Sequence, residues 1–154
     1  MTTTPTGGPA PSTPGLAEEL RISIARLSRR LRTLRPAASD GPGPLTLTQF
    51  AALAAISQHG SMTPRELADH EKVQPPSMTR VIAFLEARGF VARSPHPTDG
   101  RQAVLSVTVA GAAFLREERR RKEAWLSCRL GELTEAEREI LGRAAPIIDK
   151  LSRS

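Results

Sequence analysis

Two small sets of side chains in this sequence have the types and the spacing to grip and read an anionic polymer. Pro76, Ser77, Thr79 and Arg80 open a segment of helical spacing, and Asp99 and Arg101 stand two apart across Gly100 in a turn-forming stretch. An arginine fork matches the O6 and N7 acceptors of guanine, and one such bidentate contact contributes about 1–3 kcal/mol of discrimination between bases. In the helical segment Met78, Ile82 and Leu85 recur at steps of three and four and mark the packed side, which leaves Ser77, Thr79, Arg80 and Ala83 facing away from it. The first turn of such a helix directs the positive end of its dipole and its backbone N–H groups outward. It is therefore expected to meet phosphate while Ser77 and Arg80 reach base edges. Pro76 starts the helix, with contact to a thymine methyl as a second role. Arg101, oriented by the Asp99 carboxylate, is expected to enter a narrow minor groove. The plain alternatives are a solvated arginine at 80 and an ordinary Asp-Gly turn beside a strand arginine at 101. Arg93 and His96 are candidates for additional backbone contacts.

Other chemistries find little support. His59, His70 and His96 lie in different elements without an i, i+4 pair or a Cys/His pattern of ligand spacing, so no metal is expected. Neither a glycine-rich phosphate loop nor a G-x-S-x-G elbow is present, and the expectation is no cofactor and no enzymatic activity. Cys128 is the single cysteine, which rules out an intramolecular disulfide. It reads as a small buried or interface thiol, with redox sensing as the minor alternative.

The elements that would position these residues follow from hydrophobic spacing and capping. Residues 1–15 form an uncharged tract rich in Thr, Pro and Gly, expected to be a disordered tail. Leu16, Leu20, Ile24, Leu27, Leu31 and Leu34 then mark one stripe of a helix ended by Arg35 and Pro36. After a Gly/Pro loop to residue 44, Thr46 and Gln49 predict a capping box for a second helix ending near Gly60. Thr63, Pro64 and Glu66 give the N-cap, N1 proline and N3 glutamate of a short third helix, and Pro75 and Pro76 open the fourth, which Gly89 stops. Segments 91–94 and 102–107 read as a hairpin. A helix over 109–129 and another capped by Thr134 and Glu137 complete the chain, with Pro146 a candidate kink.

The hydrophobic share of 39% supports a packed core, and one Trp, four Phe and no Tyr leave that core to aliphatic side chains. A net charge of +6 favours an anionic partner. No apolar run approaches the roughly 20 residues of a membrane span and the amino terminus lacks a signal-peptide layout, so the expectation is a cytoplasmic protein without a membrane partner. Three close helices followed by a hairpin are the order of a winged helix-turn-helix module. The fold class expected is mainly α with a small β-hairpin wing. Residues 45–108 would bind DNA, and residues 16–44 and 109–154 would form a dimerisation part whose apolar surface exceeds what the central module can cover.

Pro76-Ser77-Met78-Thr79-Arg80, Leu85-Glu86, Gly89-Phe90-Val91 and Asp99-Gly100-Arg101 together resemble the MarR family of bacterial winged helix-turn-helix regulators, over about residues 16–151. The resemblance implies a transcription regulator, as a rule a repressor, that binds a pseudo-palindromic operator in double-stranded DNA as a homodimer. It also implies release by a small aromatic effector near the first, second and fifth helices. The family pattern carries a basic residue between the wing Asp and Arg; Gly100 departs from it, which implies fewer phosphate contacts. The competing readings are a winged-helix protein–protein interaction module and a ligand-binding helical dimer without specific DNA binding.

Overall fold

A computed structural model describes residues 12–34 and 45–153, which divide between two units, Met1–Asp40 and Gly41–Ser154. The first unit holds α1, Thr13–Arg32. Its start lies ahead of Leu16 because Ser12 caps it, accepting from Gly15 N at 3.4 Å, and Pro14 suits the first turn. Residues 12–15 are thus part of a capped helix rather than a tail; the rest of that tail and the loop at 35–44 lie outside the described residues. The helix closes at Thr33, short of the expected Leu34. None of its side chains is buried within the unit, and Leu16, Ile24 and Leu27 are exposed.

The second unit runs α2 (Leu47–His59), α3 (Pro64–Glu71), α4 (Pro75–Ala87), β1 (Val91–Pro95), β2 (Ala103–Val107), α5 (Val109–Gly131) and α6 (Glu135–Ser152). Capping boxes open three of its helices: Thr46 with Gln49, Thr63 with Glu66, and Thr134 with Glu137. Each satisfies two amides that a helix start otherwise leaves without partners. Pro146 is accommodated inside α6. Gly60 and Gly89 have positive φ angles, 79° and 71°, at the ends of α2 and α4, and Lys72 has one of 53° at the end of α3.

The core sits where α2, α3, α4 and the hairpin converge. Leu53, Ile56, Leu67, Met78, Ile82, Leu85 and Leu105 are fully buried there. The expected packed side of α4 is therefore the observed one. β1 and β2 pair antiparallel from Val91 opposite Val107 to Pro95 opposite Ala103. Met62 adds a bridge to Leu105, its N–H donating at 3.1 Å and its carbonyl accepting at 2.7 Å, so the α2–α3 connection is stitched to the hairpin base. That bridge had no sequence signal, being a single residue outside any strand pattern. Thr108 locks the other side: its hydroxyl donates to the Gly89 carbonyl at 2.5 Å and accepts from Gly111 N at 3.1 Å.

Candidate nucleic-acid interface

The free side of α4 is built by its packed side. Met78, Ile82 and Leu85 fix the roll of the helix, and Pro76, Ser77, Thr79, Arg80 and Ala83 are exposed as a result. The Arg80 guanidinium has no ion-pair or hydrogen-bond partner among the described residues, so its full fork is free for a ligand. Thr79 donates its hydroxyl to the Pro75 carbonyl at 2.9 Å. What it offers outward is a methyl group and acceptor lone pairs.

The start of α4 differs from the sequence expectation in one respect. Pro75 and Pro76 have no amide hydrogen, and Ser77 N donates to the Gln74 carbonyl at 3.0 Å. The first turn therefore presents no free backbone donors for a phosphate, although the positive end of the dipole remains. Phosphate-binding groups must come from side chains, and Arg65 supplies one that the sequence reading missed. It is exposed in the first turn of α3 and lines an open cleft of about 450 Å³ between α3 and α4 together with Pro75 and Thr79. A basic residue one place after a helix-starting proline was the available signal.

The wing tip is organised by Asp99, and again not quite as spacing suggested. Its Oδ1 accepts from the backbone N–H of Arg101 and its Oδ2 from Gln102 Nε2, both at 3.1 Å. The carboxylate thus shapes the turn and leaves the Arg101 guanidinium without a partner among the described residues. His96 contributes to the same turn, its Nδ1 accepting from the N–H groups of Thr98 and Asp99 at 3.3 Å. Arg93 is occupied: its Nε donates to Glu86 Oε1 at 2.6 Å, which ties β1 to the last turn of α4. The pair sets the wing relative to the helix that carries Arg80 and removes Arg93 from the free cations.

A sequence profile of the MarR family matches residues 45–103, from α2 to the start of β2. The HTH-type transcriptional regulator MT0903.1 of Mycobacterium tuberculosis is 46% identical over 133 residues, covering 86% of this chain and 90% of that protein. The chain belongs to the MarR family. The HTH-type transcriptional repressor Rv2887 of the same species is 35% identical over 102 residues, 65% of this chain and 73% of its own length. A MarR family protein from Bacillus stearothermophilus shares the fold with a TM-score of 0.73, at 22% identity and over 94% of this chain and 100% of that one. The MarR assignment makes the exposed α4 face and the wing parts of a DNA-binding transcription regulator, and displaces the reading as a module without specific DNA binding.

Proposed function

We propose that the protein is a homodimeric repressor that reads a pseudo-palindromic operator in double-stranded DNA and is released by a small aromatic anion. The observation that carries the reading is the exposed Arg80 fork, without a partner among the described residues, on a helix whose roll is fixed by a fully buried stripe. Arg80 reads guanine in the major groove, Ser77, Thr79 and Pro76 make neighbouring contacts, Arg101 on the Asp99 turn enters the minor groove, and Arg65 neutralises phosphate. Residues 45–108 form the DNA-binding part and residues 16–44 and 109–154 the dimerising part. Support for the latter comes from α6, which exposes Ile140, Leu141, Ile147, Ile148 and Leu151 along one helix. A two-fold dimer would space its two recognition helices by about 34–36 Å and so select an inverted repeat. Repression accords with the name of the relative Rv2887.

The effector reading rests on α2 and α5. Lys122 Nζ lies 4.4 Å from the Phe50 ring centroid, and Arg121, which is ion-paired with Glu118 and Glu117, keeps Nε and Nη1 buried without hydrogen-bond partners among the described residues. An aromatic carboxylate drawn to these cations would release DNA by favouring a dimer whose helix spacing mismatches the operator. A cytoplasmic location belongs to the same proposal; among the described residues no helix is long and apolar enough to cross a membrane.

The test is binding of the purified protein to its own upstream DNA and to a scrambled duplex at two salt concentrations, with Arg80→Ala alongside. The wild type should prefer the upstream duplex by orders of magnitude and weaken as salt rises. Arg80→Ala should lose about 10- to 100-fold of that preference with an unchanged unfolding midpoint. Equal operator preference in the variant would refute the assignment of Arg80.

A further inference from the structure

The fold unites two histidines that are remote in sequence. His59 closes α2 and His70 lies in the last turn of α3, and their rings stand 5.0 Å apart between centroids at an interplanar angle of 78°. Each Nδ1 is already committed, His59 to the Ala55 carbonyl at 2.9 Å and His70 to Glu71 Oε1 at 3.1 Å. Both partners only accept, so each Nδ1 carries a hydrogen and each neutral ring keeps its lone pair on Nε2. An imidazole held through Nδ1–H by a carbonyl or carboxylate is how metal-ligating histidines are commonly oriented, because the bond fixes the tautomer and raises the basicity of the other nitrogen. Two rings bound to one tetrahedral ion at about 2.0–2.1 Å place their centroids roughly 5 Å apart. Edge-to-face packing covers the same range; the Ala55 carbonyl and the Glu71 carboxylate, each holding an Nδ1–H, are what favour ligation. Glu71 and Glu66, the latter one turn before His70 on α3, add the negative field a cation requires.

We propose that His59 and His70 form a two-imidazole site for a first-row divalent transition ion such as Zn2+, Ni2+ or Cu2+, bracing the end of α2 against the end of α3. Imidazole nitrogen suits these ions, and water completes the shell. Among the described residues no group of three or more His, Cys, Asp or Glu is gathered to hold a metal, so the site is exchangeable rather than a closed structural cage. His96 is not a ligand through Nε2, since its Nδ1 accepts from the wing amides and its hydrogen sits on Nε2.

The experiment is calorimetric titration of tag-free, full-length protein with Ni2+, for the wild type and for His59→Asn, His70→Asn, His96→Asn and Cys128→Ser. Asparagine keeps a donor near the Nδ1 position while deleting Nε2. One ion per chain should bind the wild type, His96→Asn and Cys128→Ser, and at least tenfold more weakly His59→Asn and His70→Asn. Absence of wild-type binding below millimolar Ni2+, or undiminished binding in either His59→Asn or His70→Asn, overturns the proposal. If those two variants do not fold, the electron paramagnetic resonance spectrum of the wild type with one equivalent of Cu2+ decides. Coupling to two imidazole nitrogens is expected, and one or none refutes the site.

Discussion

Gly100 stands at the wing tip between a carboxylate that shapes the turn and a guanidinium that projects from it. A Cβ built on Gly100 meets nothing within 4 Å, and its φ lies outside the left-handed region, so a side chain fits without strain. Gly100→Arg is therefore expected to leave stability unchanged and to add one phosphate contact. The slope of log affinity against log salt should steepen by about 1 in a fluorescence-anisotropy titration. An unchanged slope would mean that the wing tip does not approach the DNA backbone. Asp99 illustrates what spacing alone misassigns: two residues apart, a carboxylate can hold either the guanidinium or the amide of the arginine, and the turn decides for the amide. Cys128, expected as a small buried or interface thiol, is exposed within its unit, with Arg129 Nη2 3.6 Å from its sulfur.

At the scale of elements, caps and close approaches govern stability. Glu66 and Glu137 have pKa values held below the ordinary 4.5, first by the backbone N–H groups of Thr63 and Thr134 and then by their hydroxyls. A lowered folded-state pKa means stabilisation that is complete above the ordinary value and is lost as pH falls through the lowered one. The unfolding midpoint should thus decline below about pH 4.5. A Glu66→Gln/Glu137→Gln double variant, whose amides still accept without titrating, should decline less steeply. Gly111 presents the opposite case to Gly100. Helix propensity alone predicts that Gly111→Ala gains about 1 kcal/mol. The added Cβ, however, would press into the Phe90 carbonyl oxygen and lie 2.9 Å from Val107 Cγ1. Overpacking of that kind costs about 1–3 kcal/mol, so a net loss is expected in urea unfolding. A gain would show that the start of α5 can move away from the turn before β1.

For the whole molecule, the question is what covers α6. Ile147 is 61% exposed and Ile148 and Leu151 accompany it. Ile147→Glu should leave the unfolding of the single chain nearly unaffected, since the side chain is not packed within its own unit. The proposed dimer should dissociate in sedimentation equilibrium, with loss of operator affinity because two half-sites are no longer read together. A variant that remains dimeric would move the interface elsewhere.

The sequence by itself determined most of the local architecture. Capping residues, prolines and the spacing of Leu53, Ile56, Leu67, Met78, Ile82 and Leu85 act within one or two helical turns, so their meaning is readable without neighbours. The same local rules put Ser77, Thr79 and Arg80 on the free face of α4. Tertiary structure alone decided which side chains meet across long stretches of chain. It bridged Met62 to Leu105, spent Arg93 on Glu86, placed His59 against His70, and set Phe50 beneath Lys122. The physical reason is that helical and strand periodicity specify which face is buried, whereas the partner on the other side depends on how separate elements pack, and packing is a property of all of them at once.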